Sequence, residues 1–288
     1  MANNGTITAA ELVKSGAVQT QLAGDIITTA AEKAILNNPN VVRAFPGGDI
    51  EYKLAFMGAV GVESNVGEGQ ETAIETPEWA GQTVALTKDV VSVAISDEAV
   101  IRSQAQGLNV QQLLTNEASA RLASLINKKI VEQLDITPQQ GTSFNIRSTS
   151  IYEAIAEAQG KLPEEALITA IVCSRQAKVE IMSNLNKVAY GGQTANIAAT
   201  GDTIPGLNIP VYASTAVESV DADSIYFISA DVPGCAWFPG QVKMEMGRDI
   251  KTGVDLLRVS SWSAAKSNLK QTAANTNLGV VETTWTIQ

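Results

Sequence analysis

Between Val110 and Leu134 the apolar residues fall at steps of three and four: Val110, Leu113, Leu114, Ala118, Leu122, Leu125, Ile126, Ile130 and Leu134. That spacing lays one stripe along a helix and predicts a helix over 108–134, about 40 Å long at ~1.5 Å per residue. Asn109 is placed to cap it, with Gln112 three residues on as a capping box requires and Leu108 and Leu113 as a hydrophobic staple. Pro138 stops the run. The opposite face carries Asn116, Glu117, Arg121, Asn127, Lys128 and Glu132. Such a helix is half-buried and serves as a spine for a sheet.

Elsewhere the period is two. Ile50, Tyr52, Leu54 and Phe56 share one face of a predicted strand, and alternation resumes at Thr83–Leu86. The phase then shifts near Lys88, Asp89 and Val90, as a bulge would cause, before Val91, Val93 and Ile95. Two strands joined by the Gly-rich stretch 58–81 read as an extended hairpin whose fifteen-residue arms would reach about 50 Å. A lone two-stranded hairpin is marginally stable in water, and this one is short of large apolar residues, so it is either disordered or laid on another surface. Ser96, Asp97 and Glu98 open a short helix.

Before the hairpin, residues 1–48 read as an arm with short helices, packed either on their own body or on a neighbour. After Thr137–Gly141 a second lobe begins. Ser150 and Glu153 box a helix ended by Gly160, 167–172 is a buried strand, Ser174 caps another helix, and 224–229 is a further strand. Val242, Met244 and Met246 alternate with Lys243 and Glu245, and 254–263 returns antiparallel. The last strand covers 278–287.

Composition removes several function classes. Among 288 residues there is no histidine, so His-based acid–base chemistry, Ser–His and Cys–His pairs and His-ligated metals are out. A net charge of −10 opposes tight nucleic-acid binding, though not enclosure of nucleic acid. Cys173 and Cys235 read as small buried hydrophobes, with a disulfide between them left open. The N-terminus has no secretory pattern and no apolar run is long enough to span a bilayer, which leads to the expectation of a product made in the cytoplasm. Gly67–Thr72 starts like a phosphate-binding glycine motif but lacks its last glycine and its helix. Glu63, Glu68, Glu71, Glu75 and Glu78 cluster in the hairpin with no Lys or Arg between Lys53 and Lys88. Their spacing fits no EF-hand loop. No catalytic, cofactor or metal site is expected; a cytoplasmic enzyme built on carboxylates alone and an exported surface-layer protein are the contrasting classes.

The order of parts carries a resemblance. A hairpin holding VESNVGEGQETAIETPEW is followed by VALTKDVVSVAISDEAV, a short helix, the long helix 108–134, an α/β lobe and a late β-hairpin. This resembles the HK97-fold major capsid proteins of tailed phages. The resemblance implies an α+β chain with an N-terminal arm (1–48), an E-loop hairpin (49–88), a peripheral domain (89–140 and 236–270) holding the spine helix, and an axial domain (141–235 and 271–288). It also implies hexamers and pentamers forming an icosahedral shell around double-stranded DNA, assembled in the host cytoplasm. Portal, scaffold and decoration proteins would be partners, DNA would be enclosed without sequence-specific binding, and no membrane would be involved. An encapsulin-like compartment for cargo proteins is the alternative. The E-loop would lie on the adjacent subunit, its five Glu residues facing Arg102, Arg121, Lys128 or Lys129. The loop has no Lys for crosslinking to a neighbour's Asn, and the Met1 start speaks against removal of a scaffolding segment.

Overall fold

A computed structural model describes residues 30, 33–45, 51–57, 79–96, 98, 110–147, 149–188, 203–204, 206–232, 234–249, 254–267 and 277–287. In chain order the elements are β1 (Arg43–Ala44), β2 (Glu51–Met57), β3 (Trp79–Ala85), β4 (Thr87–Ser96), α1 (Val110–Leu134), β5 (Pro138–Gln140), β6 (Phe144–Asn145), α2 (Ile151–Lys161), β7 (Ile168–Cys173), α3 (Arg175–Val188), β8 (Thr203–Ile204), β9 (Ile209–Ala213), α4 (Thr215–Val220), β10 (Ser224–Ser229), β11 (Cys235–Asp249), β12 (Val254–Ser267) and β13 (Asn277–Thr286). The class is α+β.

A seven-stranded sheet runs β5-β13-β10-β7-β9-β8, with β6 also on β13. Its centre is β10, where all six residues are buried, as a strand covered on both faces must be. Alternation sorts the side chains. Ile225 and Phe227, with Ile171 and Cys173 of β7, meet Ile155 and Ala158 of α2 and Ile181 of α3. Tyr226 and Ile228, with Ala170 and Val172, turn the other way onto Ile130, Val131 and Leu134 of α1 and Val217 of α4. The helix starts follow from local chemistry. Ser150 Oγ accepts from the Tyr152 N–H and Ser174 Oγ from the Ala177 N–H, each satisfying a donor that the first turn leaves over.

A four-stranded sheet, β1-β11-β12-β4, takes the other half of α1. Ala118 and Leu122 pack there on Val91, Leu257 and Val259. The spine helix therefore joins two cores along one stripe. Residues 33–45 pack on their own chain: Leu36, Val41 and Val42 are buried beside Ile130 and Trp237; the rest of the predicted arm 1–48 lies outside the described residues, Ala30 excepted. Both cysteines are buried free thiols, and burial pushes each up to about 12.

Four expectations are corrected. Asn127, assigned to the outer face of the helix, is buried; its Oδ1 accepts the Leu36 N–H at 3.1 Å, because the N-terminal segment crosses α1 there. The phase shift near Lys88 is not a bulge. Thr87–Ser96 pairs with β12 without a register break, and the change falls at Leu86, where the chain leaves the β2 ladder and joins another sheet. The bulge lies instead in β11, between Pro239 and Val242. Gly240 belongs there because a Cβ would meet the Trp262 carbonyl oxygen at 2.7 Å. The Thr137–Gly141 boundary contains β5, a parallel edge strand on β13, a place where a proline's missing N–H is tolerated. Gly160 lies within α2, which continues to Lys161 and caps at Leu162. The predicted cap at Asn109 and the short helix after Ser96 fall outside the described residues, Glu98 excepted. The short helix α4, begun by Ser214 accepting from the Ala216 N–H, had escaped the sequence reading.

Candidate assembly interface

The hairpin is real and is described over seven pairs, from Glu51 opposite Ala85 to Met57 opposite Trp79. Among the described strands β2 and β3 pair only with each other. What fixes them to the body is a cluster at the root. Tyr52 leans on Phe238 at 5.0 Å, Phe45 stacks on the same ring at 4.9 Å, and the Tyr52 hydroxyl donates to the Pro239 carbonyl at 3.2 Å. Val84 and Ala264 close that cluster. Offset aromatic pairs contribute about 0.5–1.5 kcal/mol each beyond the area they bury. The root is thus anchored to the body by Phe45, just after β1, and by β11 and β12.

A second tie joins the spine helix to the root. The Lys129 ammonium, less than one fifth exposed, pairs with Asp89 and also donates to Thr87 Oγ1 at 2.8 Å and to the Ser263 carbonyl and hydroxyl at 3.2 and 3.1 Å. Beside it lies a groove of about 360 Å³ between β3, β12 and α1, lined by Val84, Lys129, Glu132, Gln133, Ala265 and Lys266 among others.

Three of the four cations named from sequence have partners at home. Lys129 is occupied as described. Arg121 Nε sits 2.8 Å from Glu117 and Lys128 lies 3.8 Å from Glu132, both one helical turn apart and about half exposed. The outer face of α1 therefore neutralises itself pair by pair. Arg102, Glu63, Glu68, Glu71, Glu75 and Glu78 lie outside the described residues.

Sequence reasoning missed a different group of cations. The β4–β12–β11 register sets Lys88 opposite Trp262, Val90 opposite Ser260 and Lys243, and Ser92 opposite Arg258 and Glu245. Val91, Val93, Leu257 and Val259 point to α1, so these residues share the outer face of the sheet. Glu245 binds Lys243 at 2.7 Å and faces Arg258 at 4.0 Å. The Lys243 hydrogen bond first, and the nearby charges of Lys243, Arg258 and Lys88, hold this carboxylate below its usual range. Lys88 rests over the Trp262 ring at 5.0 Å. Val90 and Leu256 are exposed on the same side. The missing signal was register: three residues far apart in sequence share a face only once β12 is known to lie between β4 and β11.

Among the described residues no group of three His, Cys, Asp or Glu side chains could hold a metal. No described helix is long and apolar enough to cross a membrane.

By sequence, no family model matches the chain and no curated protein matches it. Solved structures do. A structure titled Gordonia phage Cozz is 11% identical, covers 88% of this chain and 87% of its own, and superposes with a TM-score of 0.62. The capsid structure of cyanophage P-SCSP1u is 12% identical over 87% of this chain and 88% of its own, with a TM-score of 0.57. The chain has the HK97-type capsid fold. The same fold accounts for the likeness to a virus-like particle from Pyrococcus furiosus, 8% identical over 91% of this chain and 97% of that one, with a TM-score of 0.57. The three comparisons span 87%, 88% and 91% of this chain.

Proposed function

We propose that this chain is the major capsid protein of a tailed phage, a structural protein without catalytic activity. It assembles into hexamers and pentamers, and these close an icosahedral shell around double-stranded DNA. One observation carries the reading: a two-stranded ladder, rooted by an aromatic cluster, on a body whose fold is shared with solved capsid structures. Such a ladder is too thin to be stable alone, and a neighbouring copy supplies the missing layer. In this reading residues 1–48 form the arm and 49–88 the E-loop. Residues 89–140 and 236–270 form the peripheral domain, and 141–235 with 271–288 the axial domain. The particle assembles in the host cytoplasm with a portal, a scaffold and a decoration protein as partners. The net charge of −10 suits a wall that encloses DNA without gripping it.

The test uses the register. Met57 and Trp79 face each other, so residues 58–78 can be replaced by an Asn-Gly turn that closes the ladder. The shortened chain should keep its melting temperature within a few degrees, since the described cores of both sheets are built from other residues, and should form no shells by electron microscopy. Shells at the wild-type yield overturn the reading. One alternative, a compartment for cargo proteins, suits the same fold, and the contents of purified particles, DNA or enzyme, decide between the two.

A further inference from the structure

Among the described elements the chain passes three times between the two large sheets: through α1 to β5, from β10 to β11, and from β12 to β13. The three passages meet at Asn277, the first residue of β13, which is fully buried. Its N–H donates to the Thr137 carbonyl at 2.9 Å, on the first passage. Its Nδ2 donates to the Gly234 carbonyl at 2.8 Å, on the second, and its Oδ1 accepts the Gly279 N–H at 3.3 Å. The strands touch here without room for a side chain, since a Cβ on Gly279 would meet the Gly234 nitrogen at 2.7 Å. Thr137 stands at φ 44°. It is β-branched and precedes Pro138, and both features favour negative φ. Strain of that kind persists only where the surroundings over-determine it. Here they are the Asn277 bond and the parallel pairing of Asn277 with Pro138.

Much of the remaining contact between the sheets is apolar: Val131 and Leu134 of α1, Cys235 and Trp237 of β11, Val172 of β7 and Val280 of β13. Apolar burial has no direction, so that cluster accepts a range of angles between the sheets. Hydrogen bonds weaken steeply when donor and acceptor turn out of line, and a buried amide with both arms engaged selects one angle from that range. We propose that Asn277 is a positioning residue, a clamp that holds the two sheets at one fixed angle and keeps Thr137 in its strained conformation through the same bonds. A second step rests on the shell reading. Every copy then repeats that angle, and the angle sets the curvature of the shell, because a repeated contact closes only when its rotation returns to the start.

Spin labels test the angle in the unassembled subunit. Ser92 of β4 and Ala156 of α2 are exposed and lie on different sheets, and the native thiols are buried. With labels on S92C and A156C, electron–electron double resonance should give one narrow distance peak. N277A strips the Gly234 carbonyl and the Gly279 N–H of their partner and should broaden the peak about twofold or more. N277S is the milder variant if N277A does not fold: its hydroxyl still reaches the Gly279 N–H, as turn-forming serines do, but not Gly234, and it should broaden the peak as well. I181V, in the core beneath α3, should lower the melting temperature and leave the width unchanged. Thr137 supplies a second readout. T137G accepts a positive φ without strain, so it should raise the melting temperature by several degrees more in the wild-type background than beside N277A or N277S, where the strain is already released. Shells of the Asn277 variants should spread in diameter at least twofold more widely than wild type by electron microscopy. A broad wild-type peak, unchanged width in the Asn277 variants, equal broadening in I181V, or equal gains from T137G in both backgrounds overturns the clamp. If the peaks behave as expected and wild type forms no shells, the clamp stands and the shell reading falls. If broadened subunits still build shells of one diameter, the clamp stands and its role in curvature is overturned.

Discussion

The seven-stranded sheet and the β2–β3 ladder are both built from alternating apolar residues, yet they stand in opposite positions. In the sheet, every residue of β10 is buried between helices on two sides, and each alternation parity has a layer to meet. In the ladder, the described inward side chains, Tyr52 and Val84, serve the root cluster, and β2 and β3 pair with each other alone among the described strands. A pattern of period two says that a strand has two different faces; it does not say that the same chain covers either. The sheet carries the subunit's stability, and in the proposed shell the ladder is the part that joins other subunits.

The largest test of that contrast is Phe227→Ala. Phe227 is fully buried, paired with Val281 and Ile171 in register, and its truncation should cost about 3–5 kcal/mol. Against a total of roughly 5–15 kcal/mol for a domain that would lower the urea midpoint steeply or prevent folding. A loss under about 1 kcal/mol would mean the seven-stranded sheet is not where stability resides. Lys129→Met comes next. It orphans Asp89, whose side chain is 18% exposed and keeps only the Ser263 hydroxyl as a described donor, so a loss of about 1.5–3 kcal/mol is expected. Adding Asp89→Asn should cost less than the sum of the two single changes, because the stranded charge is gone; strict additivity in urea melts would show that the pair is not coupled. The effect should exceed that of any exposed helix pair such as Arg121 with Glu117.

These tests also mark what could be read in advance. The α1 stripe, β10 and the caps at Ser150 and Ser174 depend on near neighbours in sequence, and periodicity with cap chemistry located them. Asn127 could not be placed that way, since its burial is caused by Leu36, ninety-one residues earlier. Lys129 read as one more surface cation for the same reason: Asp89 and Ser263 reach it through the register of two strands. The cations on the outer face of β4–β12–β11, residues 88, 243 and 258, are brought together only by strand order. The Leu86 break, by contrast, left a true trace in the alternation. Its cause was a change of sheet rather than an inserted residue, and both produce the same phase slip on paper.

The smallest effect is the most discriminating for the ladder. Tyr52→Phe keeps the ring against Phe238 and removes only the hydroxyl that donates to the Pro239 carbonyl. A single neutral hydrogen bond contributes about 0.5–1.5 kcal/mol net, and here it sits at the root, outside both large cores. Global stability in urea should therefore change by no more than that. Hydrogen exchange of β2 and β3 amides should speed up in the isolated subunit, since opening the ladder no longer breaks the link to β11, while the amides of β7 and β10 keep their protection. In assembled shells the difference in the ladder should shrink, because a neighbour then holds it from the other side. Equal acceleration in β10 would mean that the root and the seven-stranded sheet open as one unit. The division between a self-sufficient sheet and a partner-dependent ladder would then be lost.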